Sequence, residues 1–374
     1  MSSSQELYNR IVHTLARLVT VSHIAQLSNW AWLTVGILQS QAVALGAIAT
    51  YLPWETKAES RIARLRRWLR NPRVQVWEVY RPLLAQVLGT AWQDEHAFVI
   101  LDGLMVFGNH WQIFRLSLEH GCRAIPLAWV VIPGKGLVRV ERLQTMLEQV
   151  AVFLRPRVKG VTFLADRGFR DCDWADLCRK IGWHYAIRIM HNTWISWPDG
   201  RQARLDEIVP IGLNRYFQAV ALTQAGMLTT NVSVTWTEAV DPEMVAIVSD
   251  QPAGRQRLQE YGHRMRIEQS FRDDQSGGFD LEHTQLRHAD RLERLLLAVA
   301  VATLWCHELG QQVLFAGEAT RQVIDPGYKR ELSVFQLGLR WLKRCASTAL
   351  QHLDTFRAHL VPIKLKPVVK IPAS

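Results

Sequence analysis

Ala97-Phe-Val-Ile-Leu101-Asp102-Gly103 is a short, β-rich apolar run that ends on an acid. Such a run fills a strand buried on both faces, with its end at a turn. Val161-Thr-Phe-Leu-Ala165 repeats the pattern, and it too ends on an acid, Asp166. Between the two, Trp111 to Leu118 and Ala124 to Ile132 flank the turn-forming Glu119-His-Gly-Cys122, which predicts an antiparallel hairpin. Val140 to Leu154 carries Leu143, Met146, Leu147, Val150 and Leu154 on one helical stripe, so it should cross the sheet as a helix. A helix over Asp171 to Ile181 and a strand over His184 to Ile189 complete a β-β-β-α-β-α-β order. The class is α/β, a mixed sheet with helices against it.

The 374 residues suffice for two or three structural units, and 48% apolar with 21% charged residues excludes a disordered chain. Lys and Arg exceed Asp and Glu by ten, which favours a polyanion, either nucleic acid or an acidic membrane surface. Residues 1–90 hold ten basic and four acidic side chains, so six of those ten surplus charges sit in an N-terminal, helical unit. Within it, Arg61-Ile-Ala-Arg-Leu-Arg-Arg-Trp-Leu-Arg-Asn-Pro-Arg73 spaces Ile62, Leu65 and Leu69 helically, and Arg61, Arg64, Arg67 and Arg70 are the candidates for phosphate contact. Leu18 to Trp54 lacks Asp, Glu, Lys and Arg, yet polar residues from Gln26 to Gln41 interrupt it, so buried helices are expected there rather than a membrane span. Five scattered cysteines and no recognisable export signal fit a cytoplasmic protein. The expected organisation is residues 1–90 helical and basic, 91–190 the first part of the core, 191–243 a β-rich insertion, 244–312 the second part, and 313–374 a helical region with a basic tail at Lys364, Lys366 and Lys370.

A third acid completes the candidate site. In Tyr261-Gly-His-Arg264-Met-Arg-Ile-Glu268, one long helix from about Arg255 to Gln275 would put Tyr261, Arg264 and Glu268 on a single face. Asp102, Asp166 and Glu268 converging in one crevice would repel each other unless divalent cations neutralise them. Carboxylate oxygens favour Mg²⁺, with Mn²⁺ as a substitute. Two such ions would serve in-line displacement at a phosphodiester.

These motifs resemble those of the DDE transposases of bacterial insertion sequences, specifically the insertion sequence four family with its YREK motif. Val-Ile-Leu-Asp102-Gly is similar to that family's first acidic motif, Leu-Ala-Asp166-Arg-Gly-Phe169 to its second, and Tyr261, Arg264 and Glu268 to its third, continued by Phe271-Arg-Asp273. The resemblance covers roughly residues 55 to 310. It implies an RNase H-like catalytic core with a β-rich insertion, cut-and-paste transposition, and a homodimer on double-stranded DNA, both element ends and target. It also implies catalysis and metal binding by Asp102, Asp166 and Glu268, with Tyr261, Arg264, Arg272 and Gln275 near DNA phosphates. Two positions depart from the family: its closing Lys falls on Gln275, and a base-stacking tryptophan of some relatives falls on Met244, with Trp236 and Trp194 as substitutes. The rivals are a non-cleaving DNA-binding protein and a nuclease of the same fold without strand transfer. Zinc at Cys172, Cys178 and His184 lacks a tight pair spacing, and a glycosidase pair gains nothing from a basic chain.

Overall fold

In the computed structural model, which describes residues 3–20, 23–222, 228–348, 350 and 353–363, the two acid-terminated runs lie side by side. The basic tail positions Lys364, Lys366 and Lys370 lie outside the described residues. β1 (His96–Val106), β2 (Trp111–His120) and β3 (Arg123–Pro133) form an antiparallel meander. The β2–β3 turn is two residues long, Gly121 and Cys122, both at positive φ as a tight hairpin turn demands. β4 (Gly160–Ala165) and β5 (His184–Ile189) add in parallel to β1. Then β6 (Trp194–Ser196), β7 (Gln202–Arg204), β8 (Arg215–Leu222), β9 (Leu228–Trp236) and β10 (Met244–Ser249) extend the sheet antiparallel. Among the described residues the strand order is β3-β2-β1-β4-β5-β10-β9-β8-β6-β7. The β-rich stretch therefore continues the same hydrogen-bonded sheet, because β10 returns beside β5 and pairs with β9 on its other edge.

Asp102 does not end its strand as expected. β1 runs on to Val106 because β2 pairs with it as far as Val106 opposite Trp111. What ends at Leu101 is the parallel ladder to β4, whose last pair is Leu101 with Ala165. Asp102 and Asp166 occupy the next position on the two neighbouring strands.

The helices are α1 (Ser3–Leu18), α2 (Ile24–Ser40), α3 (Leu45–Ala49), α4 (Ala58–Leu69) and α5 (Val76–Leu88) before the sheet. α6 (Gln144–Leu154), α7 (Cys172–Ile181) and α8 (Leu205–Ile208) lie between strands. After β10 come α9 (Arg255–Tyr261), α10 (Met265–Asp274), α11 (Ala289–Phe315), α12 (Glu318–Gln322) and α13 (Val334–Ser347). The charge-free stretch forms α2 and α3, and α2 is buried against α1, α4 and α11. Among the described residues no helix is long and apolar enough to cross a membrane. α11 is apolar nearly all round, so it can only be a core helix; it touches β3, α2, α4, α5 and α13. Where α11 crosses α13, Gly310 and Gly338 let the backbones meet, and a Cβ on either would run into a carbonyl oxygen of the other helix.

β3 is one edge strand of the sheet, and two helices cover it, as an unpaired edge requires. Ser270 of α10 accepts from the Ala124 N–H at 2.7 Å, and Glu293 of α11 accepts from the Val131 N–H at 3.1 Å.

The C-terminal region is helical only in part. Residues 353–363, outside any helix or strand, run as a strap, tied down because their backbone groups find side-chain partners. Glu308 accepts from the N–H groups of Arg357 and His359 at 2.8 and 3.2 Å, Gln311 accepts from Val361 N–H at 2.9 Å, and Trp92 donates to Leu360 O at 3.0 Å. Burial pushes the Glu308 carboxyl up from 4.5 to about 7, against the pull of the strap N–H groups. The folded protein thus holds a proton that the unfolded chain has released, so this contribution to stability falls as pH climbs from about 4.5 to about 7, by roughly 3 kcal/mol at most. Melting curves of wild type and Glu308→Gln between pH 5 and 8 should show the variant gaining on wild type as pH rises; parallel curves would contradict the assignment.

Candidate active site

Asp102 reaches the site from β1, and its Oδ1 accepts from the Gly103 N–H at 2.8 Å. Asp166 follows β4 and caps the short helical turn Arg167–Phe169, its Oδ1 accepting from Gly168 N–H at 2.8 Å. A side chain at Gly168 would crowd that carboxylate, since its Cβ would lie 3.0 Å from Asp166 Oδ1. The third acid comes from α10, and here the expected single helix is broken. α9 ends at Tyr261, a 3₁₀ turn spans Gly262–Arg264, and α10 starts at Met265. Glycine is a poor helix former, by about 1 kcal/mol against alanine, and the tighter 3₁₀ turn shifts the helical phase of the residues after it.

Arg264 stands among all three carboxylates. Its Nη2 lies 2.8 Å from Asp102 Oδ2 and 3.6 Å from Asp166 Oδ2, while Nη1 donates to Glu268 Oε1. The side chains of residues 102, 166 and 268 are therefore brought together within reach of one guanidinium. Burial lifts the Asp102 carboxyl from 3.8 to about 6, against the opposing pull of Arg264 and the Gly103 N–H; Asp166 and Glu268 add to the rise. Tyr261 is buried beside this group, and burial pushes its phenol above its usual range.

The donor set suits a hard divalent cation. Three carboxylates against one guanidinium leave two negative charges uncompensated when all are ionised, and oxygen ligands match Mg²⁺ or Mn²⁺. Among the described residues, no three acidic, histidine or cysteine side chains already stand at ion-binding spacing. The guanidinium of Arg264 lies between the acids instead.

Glu268 is aimed by contacts that periodicity did not reveal. Asp274, six residues further along α10, pairs with Arg115 on β2, and Asp273 accepts from Arg123 Nε on β3 at 2.6 Å. Arg115 is the cross-strand partner of Asp102, so the same pair of strands holds one acid and anchors the helix bearing another. Arg167, beside Asp166, lies 3.3 Å from Glu243, and Arg188 lies 2.6 Å from the same carboxylate. The only sequence signal for Arg167 is its place in the Asp166-Arg-Gly-Phe motif; nothing local marks Arg188.

The other candidates are dispersed. Arg272 is exposed, and Gln275, at the end of α10, donates to Glu282 at 2.5 Å. Arg61 donates to Leu52 O at 3.3 Å, and Arg64 donates to Asn29 at 2.7 Å with its guanidinium over the Trp54 ring. Arg61 and Arg64 thus make contacts within their own helical unit, while Arg67 and Arg70 are exposed. Met244 is paired across the ladder with Trp236. Trp194 sits at the start of β6, paired across the ladder with Arg204 and partly exposed.

Residues 140–305 match the family model described as "Transposase DDE domain". The matched stretch contains Asp166 and Glu268, and the fold supplies Asp102 from outside it. No curated protein matches the chain. Among solved structures it is similar to the piggyBac transposase synaptic complex with hairpin DNA, determined by cryo-electron microscopy, at 10% identity and a TM-score of 0.42, over 93% of this chain and 80% of that one. The domain defines an enzyme of DNA phosphodiester chemistry. That domain supports DNA transposase function for the chain.

Proposed function

We propose that the chain performs cut-and-paste transposition in the manner of the insertion sequence four group, on an RNase H-like core built from β1–β5 and α10. The order β3-β2-β1-β4-β5, with acids at adjoining positions of β1 and β4, supports that core. The observation that carries the reading is the single guanidinium contacting Asp102, Asp166 and Glu268 together.

Asp102, Asp166 and Glu268 would hold Mg²⁺ or Mn²⁺. When bound, such ions activate an attacking oxygen and stabilise the departing one. The chain's own residues do the rest. Glu268 and the two aspartates set the negative field of the crevice. Arg264 offsets part of it and, turned towards DNA, gives a planar, two-pronged donor for a phosphate beside the cut. Tyr261 keeps its proton through the physiological range and so serves as a neutral hydrogen-bond donor rather than as a base. Arg272, exposed on α10 four residues after Glu268, is the candidate for a neighbouring phosphate, since Gln275 is engaged with Glu282. The N-terminal helices are assigned to DNA ends, and a homodimer forms on the DNA.

The test is a duplex carrying the short inverted repeats this reading expects just outside the reading frame, incubated with the protein in Mg²⁺ and a target plasmid. Nicking at the repeat followed by joined product is the expected outcome. Cutting without joining would make the chain a nuclease, and tight binding without cutting would make it a DNA-binding protein only.

A further inference from the structure

A second basic site lies outside the carboxylate crevice. Arg66, Arg70, Arg287, His288 and Arg291 line a cavity of about 180 Å³, together with Leu69, Gln285 and Leu286. One wall is α4, where Arg66 and Arg70 are one turn apart on the same face. The other is the segment that leaves α10 and opens α11. Among the described residues no Asp or Glu lines the cavity. The nearest acid in sequence, Asp290, is held by Arg294, whose Nη1 lies 2.7 Å from it.

The two walls are bolted together. Arg294 is buried, and it donates to Leu69 O at 2.9 Å, at the end of α4, and to Val74 O at 3.2 Å. Four arginines thus line one concavity whose walls a buried arginine ties together. Like charges gathered this way repel each other, and an anion with several oxygens relieves that. The first N–H groups of α11, a helix of 27 residues, add partial positive charge at the same place. The segment is also tied to the catalytic strand: its turn Leu281–His283 lies against β1, which carries Asp102.

We propose that this cleft is a DNA-backbone site that clamps the phosphates of a duplex whose scissile bond lies at the carboxylates. It rests on the reading of the chain as a DNA enzyme. Of the arginines singled out in the sequence only Arg70 belongs to it; Arg66, Arg287 and Arg291 are recognised from tertiary structure alone.

The experiment is the salt dependence of binding of the full chain to a 5′-labelled repeat-bearing duplex, in EDTA. Removing one phosphate-binding charge lowers the slope of log K against log salt by about 0.9. Arg66→Gln/Arg291→Gln should flatten it by nearly two and weaken binding by roughly 60-fold near 0.1 M salt. Arg66→Lys/Arg291→Lys, which keeps the charge, should restore the slope, and this also covers the case in which the glutamine pair folds poorly. Arg155→Gln/Arg344→Gln removes equal charge elsewhere and should leave the slope within a few tenths of wild type. Inorganic phosphate at millimolar concentration should not compete, since a single phosphate lacks the neighbours a clamp holds; full competition would make the cleft a site for small anions and overturn the proposal. An unchanged slope in the glutamine pair, or an equal flattening in the control pair, would also overturn it. If the wild-type chain binds no duplex at all, the transposase reading falls with it.

Discussion

A Glu268→Gln enzyme should bind its DNA as wild type does and lose cutting by on the order of 10³-fold, the scale set by removing a preorganised electrostatic group from a reaction centre. The substitution keeps shape and removes only charge. Glu268 is partly exposed and its pairing with Arg264 is an i,i+4 contact, so folding should change by no more than about 0.5 kcal/mol. The loss is then catalytic. Gel assays of nicking in Mg²⁺ and Mn²⁺, read beside a melting curve, separate the two effects; a variant that cuts at more than a tenth of the wild-type rate would remove Glu268 from the site. Asp102→Asn should lose activity as severely while behaving differently in stability. Its carboxyl rises from 3.8 to about 6 in the fold, so the folded state holds the extra proton between those values and the carboxylate costs stability above them. In EDTA at pH 8 the Asp102→Asn protein should therefore melt no lower than wild type. A carboxylate retained at a cost to the fold is what a site kept for chemistry looks like.

The largest loss of stability is expected from Asp274→Leu. Arg115 and Asp274 have side-chain exposures of 7% and 2% and form a buried pair between β2 and α10. Removing one partner strands a charge in the interior, at a cost of about 3–5 kcal/mol. The Arg115 guanidinium also lies over the Phe271 ring, 4.6 Å from its centroid, so the helix loses its seat as well as a charge. Replacing both, Arg115→Met with Asp274→Leu, should recover most of the loss, since two apolar groups need no pairing. Urea denaturation of the two single variants and the double variant checks this. A double variant as unstable as the worse single one would mean that packing, and not charge, sets the cost. Activity should stay low in the recovered protein, because Glu268 is aimed through that pair.

Much of the core was legible in the chain. Val99 to Leu101 and Val161 to Ala165 are apolar without alternation, which only a doubly covered strand tolerates, and the acids after them were visible as candidates. α11 was legible for a similar reason, being too apolar for any place but the interior. Where local reading failed, a distant partner had decided the outcome. β1 continues past Asp102 because β2 supplies a ladder there. The helix before Glu268 breaks at Gly262, and Arg264 turns to acids far away in sequence. The C-terminal strap was missed because side chains of α11 and Trp92, not its own residues, satisfy its backbone.

Sequence alone determined the core strands in outline, the buried helices, the excess of positive charge and the three acids as candidates, since each is set by periodicity or residue type within a few neighbours. Tertiary structure alone decided that residues 102, 166 and 268 share one guanidinium, that Arg115 and Asp274 hold the third acid in place, and that Arg66 meets Arg291 across a cleft. Coulomb energy depends on separation in space, and separation along the chain carries no record of it.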